Sequence, residues 1–186
     1  IYIDIGAHTG LYTMTAIKSN ELNNVISIEP YYLNMARLIT NLRLNKIEKK
    51  VQTFMLAVSN SNSVQKFNLK TAHSYLSKGG KIDKEGEPTK TIKLDSIDFK
   101  KTRKRIKGIK IDTEGEDLNV LIGSQKTIQK FRPKIIIEVR NENKVKIQEI
   151  LHKQNYAMYS VNNLSTTVDL KNFEINKMIN IFAKPL

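Results

Sequence analysis

Strand-like runs rich in isoleucine and valine alternate with helical stretches along this chain, which confines it to βαβ units: an α/β protein with a mostly parallel sheet. "IYIDI" (residues 1–5) reads as a strand and "LYTMTAIKS" (11–19) as a short helix. "VISIE" (25–29) is a second strand. "YYLNMARLITNLRLN" (31–45) is a helix with apolar residues at Leu33, Ala36, Leu38, Leu42 and Leu44. "VQTFMLAV" (51–58) is a third strand and "IKGIKID" (106–112) a fourth. "EDLNVLIGSQKTIQKF" (116–131) reads as one helix, with Glu116 and Asp117 near its N-terminus, where the helix dipole favours acids, and Pro133 to stop it. "KIIIEV" (134–139) is the fifth strand, "NENKVKIQEILHKQ" (141–154) a helix, and "YAMYSV" and "MINIFAK" closing strands. In the middle, "SVQKFNLK" and "TKTIKLDSI" alternate apolar and polar residues, as half-exposed strands do. They bracket "TAHSYLSKGGKIDKEGEP" (71–88), so residues 61–97 read as an inserted β-hairpin and loop within a single domain, 1–186.

No apolar run approaches the roughly 20 residues of a membrane span, and no signal peptide is visible. Cysteine is absent, which removes disulfides, thiolate metal sites and a cysteine nucleophile, and fits a reducing, cytoplasmic compartment. The chain opens on what reads as a buried strand rather than a methionine, as a trimmed fragment would.

In such a sheet ligands bind beyond the carboxyl ends of the strands. The first strand runs into "DIGAHTG" (4–10), where Gly6 and Gly10 remove side chains at a sharp turn or a close approach to a ligand. A dinucleotide turn needs G-x-G-x-x-G; His8 stands in the place of the second glycine, so a pyrophosphate there would meet a side chain. The second strand ends in "SIEP", which sets Glu29 about 20 residues beyond the turn, where an acid can accept from both ribose hydroxyls. The third ends in "AVSN", where Ala57 and Val58 can frame an adenine edge. The fourth ends in "IKIDTEGED", with Asp112 and Glu114, and the fifth brings Glu138. Asp4, Glu29, Asp112, Glu114 and Glu138 thus gather at one edge of a chain with 31 Lys and Arg against 18 Asp and Glu. A crevice of carboxylates disfavours a polyphosphate and suits a phosphate-free nucleoside that carries positive charge. S-adenosylmethionine is such a ligand.

"YIDIGAHTGLYT", "VISIEP", "NLRLN", "LAVSN", "LDSI", "IKIDTEGED" and "RPKIIIEV", in that order over nearly the whole chain, resemble the FkbM family of methyltransferases. The first two are generic to class I methyltransferases; "LDSI", "IKIDTEGE", a helix with "VLIGS" and "PKIIIEV" together are much more specific. The resemblance implies a Rossmann-like class I methyltransferase sheet with a reversed final strand, and S-adenosyl-L-methionine as methyl donor. It implies O-methylation of a hydroxyl on a sugar or other small metabolite. It assigns Asp4, Gly6, Ala7, His8 and Gly10 to the cofactor turn, Glu29 and Pro30 to the ribose side, and Asp112 and Glu114 to the reacting end. His8 departs from the asparagine or other small polar residue of many relatives. The resemblance implies a further segment ahead of the first strand, on which this sequence opens.

Methyl transfer to oxygen is an in-line displacement. Alignment of the partners supplies up to roughly 7–11 kcal/mol, and an alcohol also needs a proton acceptor, worth about 10²–10⁴-fold. Asp112 is the first candidate for base or acceptor anchor, Glu114 the second and Glu138 the third, with His8 and His73 as alternatives of suitable intrinsic pKa. The same acids could hold a divalent metal, but nothing in their spacing requires one and none is expected. The loop at 71–88 is expected over a small-molecule or glycan acceptor, with His73, Ser74 and Tyr75 toward it. Two other readings stand beside this one. An RNA methyltransferase is favoured by the +13 net charge, and "NLRLNKIEKK" is faintly similar to tRNA-modifying enzymes. However, the densest basic run, "KKTRKR" (100–105), precedes the fourth strand, away from the crevice, and no aromatic-basic interleaving for base stacking is evident. The other is a non-catalytic nucleoside-binding module, against which the acids of "DTE" speak. An NAD-dependent oxidoreductase is disfavoured by the missing glycine pattern.

Overall fold

The structure is a computed structural model that describes residues 1–19, 24–67, 86–99, 105–175 and 178–186. β1 (Tyr2–Ile5), α1 (Leu11–Lys18), β2 (Val25–Ile28), α2 (Tyr32–Leu44) and β3 (Val51–Phe54) form two successive βα units whose strands pair in parallel. β4 (Ala57–Val58), β5 (Ser63–Phe67) and β6 (Glu87–Ile92) form a separate three-stranded sheet, with β5 antiparallel to β6. The chain then returns to the large sheet through β7 (Gly108–Ile111), α3 (Asp117–Ile122), α4 (Gln125–Phe131), β8 (Lys134–Arg140), α5 (Lys144–Lys153), β9 (Tyr156–Ser160), β10 (Asn163–Thr167) and β11 (Met178–Pro185). Its eight strands lie in the order β3-β2-β1-β7-β8-β11-β9-β10. β11 is antiparallel to both β8 and β9, as a reversed final strand should be. The winding reverses between β1 and β7, so the crevice of the sheet opens at their carboxyl ends.

Ile3, Ile5, Ile28, Ile109, Ile111, Ile135 and Ile137 are buried, as strands covered on both faces require. One polar row interrupts this apolar centre. Ser27, Asp4 and Lys110 lie side by side across β2, β1 and β7, all buried. Thr13 of α1 closes the row: its hydroxyl donates to Asp4 Oδ2 at 2.7 Å and lies 2.7 Å from the Ser27 hydroxyl.

Four details differ from the sequence reading. "VQTFMLAV" is two strands, because the chain leaves the large sheet after Phe54, and Ala57–Val58 pairs with β6 instead. "TKTIKLDSI" is a strand only to Ile92; Leu94–Ser96 is a 3₁₀ turn. The single helix expected over 116–131 is broken at Gly123 and Ser124. A Cβ on Gly123 would sit 2.1 Å from the Ser59 carbonyl oxygen, so the chain passes too close to β4 for a regular helix to continue. α4 restarts because the Asp95 carboxylate accepts the N–H groups of Lys126 (3.0 Å) and Thr127 (2.7 Å). β10 escaped the reading because all its residues are exposed and carry no burial pattern.

Residues 100–104 of the basic run lie outside the described residues. Arg105, its last member, has its backbone carbonyl 2.8 Å from the Ile1 nitrogen, at the amino edge of the sheet, opposite the crevice. Among the described residues no helix is long and apolar enough to cross a membrane.

Asp95→Ala should destabilise the fold by about 1 kcal/mol through loss of these two bonds at the start of α4. Denaturant unfolding measures this; a variant as stable as the wild type contradicts it.

Candidate active site

The first turn is built on a close approach. Gly6 has φ +75°, and a Cβ there would lie 1.9 Å from the Asp112 carbonyl oxygen. The turn after β1 therefore presses against the end of β7, and only glycine permits it. The N–H groups of Gly6 and Ala7 both donate to the Ile28 carbonyl, at 2.9 and 3.1 Å. His8, at φ 50°, turns its N–H to Glu29 Oε2 at 2.9 Å. Glu29 Oε1 accepts the Tyr31 N–H at 3.0 Å and the Asn34 amide at 3.4 Å. This carboxylate is thus clamped between two loops. Burial pushes its pKa up, while the N–H bonds from Tyr31 and His8 pull it down.

A cavity of about 540 Å³ opens above these turns. Gly6, Ala7 and His8 line it from the first loop, Glu29 and Pro30 from the second, Ala57 and Val58 from β4, and Asp112 and Glu114 from the loop after β7. Seven of the nine residues expected at a cofactor are therefore together on one wall. Asp4 and Gly10 are not on it. Asp4 is fully buried beneath the turn, and Gly10, at φ +91°, starts α1 against Leu38. Both shape the turn from behind.

Asp112 and Glu114 reach the cavity because Asp117 folds the loop that carries them. Its Oδ1 accepts the N–H (2.8 Å) and hydroxyl (3.0 Å) of Thr113, and its Oδ2 the N–H of Gly115 (3.2 Å). Glu138 does not line the cavity; it stands behind Glu114, joined to it through Arg140. The Arg140 Nε donates to Glu138 Oε1 at 2.8 Å and Nη2 to Glu114 Oε2 at 3.1 Å. Burial first, then the neighbouring Asp117 charge, push the Glu138 carboxyl up to about 7, against the pull of Arg140. His73, Ser74 and Tyr75 lie outside the described residues. Among the described residues no cluster of three or more His, Asp or Glu side chains is arranged for a metal.

Cations stand among the carboxylates expected at this edge. Lys110 is 3% exposed, with Nζ 3.4 Å from Asp4 Oδ1 and 3.3 Å from Asp112 Oδ2. Burial opposes its charge, but Asp4 and Asp112 outweigh that and hold its pKa above the usual lysine value. With Arg140 between Glu114 and Glu138, four of the five expected acids have a cation beside them. Glu29 instead has backbone N–H groups, and Glu116, a further wall acid, accepts from Asn119 and Ser59. Sequence reasoning missed Lys110, Arg140, Asn34 and Tyr12 as site residues. The signal for Lys110 was a lone cation in the middle of an apolar strand, beside a strand with a lone acid.

A Glu138 carboxyl that titrates near 7, against about 4.5 in the unfolded chain, binds its proton more tightly in the native state. Stability is therefore lost as pH rises through that window. Relative to Glu138→Gln, the wild type should lose on the order of 1–3 kcal/mol between about pH 5 and about pH 8 in parallel thermal unfolding. A pH-independent difference contradicts the assignment.

No curated protein matches the chain in sequence. In structure it is similar to the methyltransferase FkbM of Methylobacillus flagellatus KT (TM-score 0.64, 17% identity), covering 98% of this chain and 42% of that one. It thus spans less than half of that protein's length. An rRNA methylase of Streptococcus thermophilus is similar over 100% of this chain and 86% of its own (TM-score 0.52, 11% identity). So is SMU.1697c of Streptococcus mutans, solved in complex with SAH, the demethylated product of S-adenosylmethionine, over 100% of this chain and 88% of its own (TM-score 0.53, 11% identity). At such identities the likeness is one of fold. The family model of the methyltransferase FkbM domain matches residues 4–161, from the acid of the first turn through β9, and the chain belongs to that family.

Proposed function

We propose that this protein is an S-adenosylmethionine-dependent methyltransferase whose acceptor is a hydroxyl oxygen on a sugar or another small metabolite. The observation that carries the reading is the clamped Glu29. Its two oxygens are fixed by the His8 and Tyr31 N–H groups on the wall of the cavity, a geometry suited to two adjacent ribose hydroxyls. Beside it, Asn34 Oδ1 is buried without a hydrogen-bond partner among the described residues, an acceptor suited to a polar ligand. Ala57 and Val58 supply an apolar wall for a base, and Gly6 lets backbone approach the ligand. A polyphosphate would instead face Glu29, Asp112, Glu114 and Glu116. The residues present fit the methyl donor.

When bound, the donor supplies an electrophilic methyl group; the chain supplies alignment and a proton acceptor. Asp112, at the wall and 28% exposed, is the first base, and Glu114 the second. Arg140 fixes Glu114 from behind and pairs with Glu138, whose carboxyl burial pushes up to about 7. A small acceptor rather than RNA is supported by the placement of Arg105 at the far edge of the sheet.

Calorimetric titration tests this reading. S-adenosylhomocysteine should bind and, at about 100 times its Kd, stabilise the fold by roughly 2.7 kcal/mol, whereas NAD should not bind. Glu29→Ala should weaken the complex about tenfold or more. A wild type that takes up NAD and not S-adenosylhomocysteine contradicts the proposal.

A further inference from the structure

A buried cation at a cavity meant for a cationic ligand needs a reason. Lys110 stands between Ile109 and Ile111 in β7. Taking an ammonium out of water is unfavourable unless charged partners and hydrogen bonds replace the water. Lys110 Nζ has such partners: Asp4 Oδ1 at 3.4 Å, Asp112 Oδ2 at 3.3 Å, the Gly6 carbonyl at 3.4 Å and the face of the Tyr12 ring, 4.6 Å from its centroid. Two of these are anchors. Asp4 is fully buried and also receives the Thr13 hydroxyl, and Gly6 belongs to the first turn. Asp112 differs. It lies just past the last paired residue of β7, on the cavity wall, and among the described residues Lys110 is its one ion-pair partner.

We propose that Lys110 is a positioning residue: anchored on Asp4 and the Gly6 carbonyl, its ammonium holds Asp112 Oδ2 and so fixes the carboxylate that faces the ligand. A strand-end carboxylate without such an anchor samples several rotamers, and ordering it on binding weakens affinity. A lysine suits the task because its ammonium is a point charge. The fork of an arginine can take both oxygens of a carboxylate at once, whereas Lys110 holds Oδ2 of Asp112 alone.

The inference rests on the methyl-donor reading, and the experiment separates the two. The Kd of S-adenosylmethionine is measured by calorimetry for the wild type and variants. Asp112→Asn and Asp112→Glu should each weaken binding about tenfold, because the longer side chain carries its charge off the lysine. The same Asp112→Asn change in a background of Lys110→Met with Asp4→Asn, which leaves no stranded buried acid, should weaken binding less than about threefold, since the two sites are coupled. A merely structural lysine predicts effects that multiply, and that result overturns the proposal. So does Asp112→Glu binding like the wild type. This second comparison decides alone if the Lys110 background does not fold, because Asp112 is a partly exposed strand-end residue. If the wild type takes up no S-adenosylmethionine at all, the donor reading fails, and this proposal with it.

Discussion

The ion pair between Asp4 and Lys110 is the interaction on which the geometry of the cavity depends. It joins the two central strands where the winding of the sheet reverses, inside a largely apolar centre rich in isoleucine. Such a pair adds little net stability compared with apolar residues of the same shape. Its effect is to fix positions. Thr13 ties Asp4 to α1, the Gly6 carbonyl lies on the same ammonium, and the contact of Gly6 with the Asp112 backbone locks the turn after β1 to the loop after β7. The two adjoining loops are thus one rigid corner rather than two independent ones.

That corner changes the electrostatic picture. Carboxylates do collect at the carboxyl edge, but each is held by something: Asp4 and Asp112 by Lys110, Glu114 and Glu138 by Arg140, Glu29 by backbone N–H groups. In the proposed reading the pull on a sulfonium comes from oriented oxygens rather than from bare excess charge. Orientation is what distinguishes binding from non-specific attraction, since exposed charges are screened within about 10 Å in ordinary salt. The raised pKa of Glu138 follows from burial first and from neighbouring carboxylates second. Asp117 and Asp112 stand close enough to Glu138 to disfavour its charge.

Much of this was legible in the sequence. The glycine turn, Glu29, and the acids of "DTE" are set by strand ends, and strand ends follow from short β-branched runs bounded by glycine and acid. The reversed final strand came through the family resemblance, because nothing in "MINIFAK" encodes a direction. The break at Gly123 was hidden, since it depends on Ser59, a residue far away in the chain. Lys110 was hidden for a related reason, since no acid stands beside it until the register supplies one, and Arg140 was hidden because its second partner, Glu114, lies on a loop 26 residues away in the chain. The register of β1 against β7 pairs Asp4 with Lys110, and that pairing exists only in the folded sheet.

The most direct measurement is a two-dimensional ¹⁵N NMR titration of the whole chain with S-adenosylhomocysteine. The amide signals of His8, Tyr31, Val58 and Thr113, which surround the clamped Glu29 and the loop after β7, should move together and saturate at one equivalent. If those signals stay still, or if the shifts gather around Lys93, Lys126, Arg132 and Lys153, which line a second cavity away from the crevice, the account of the site is wrong.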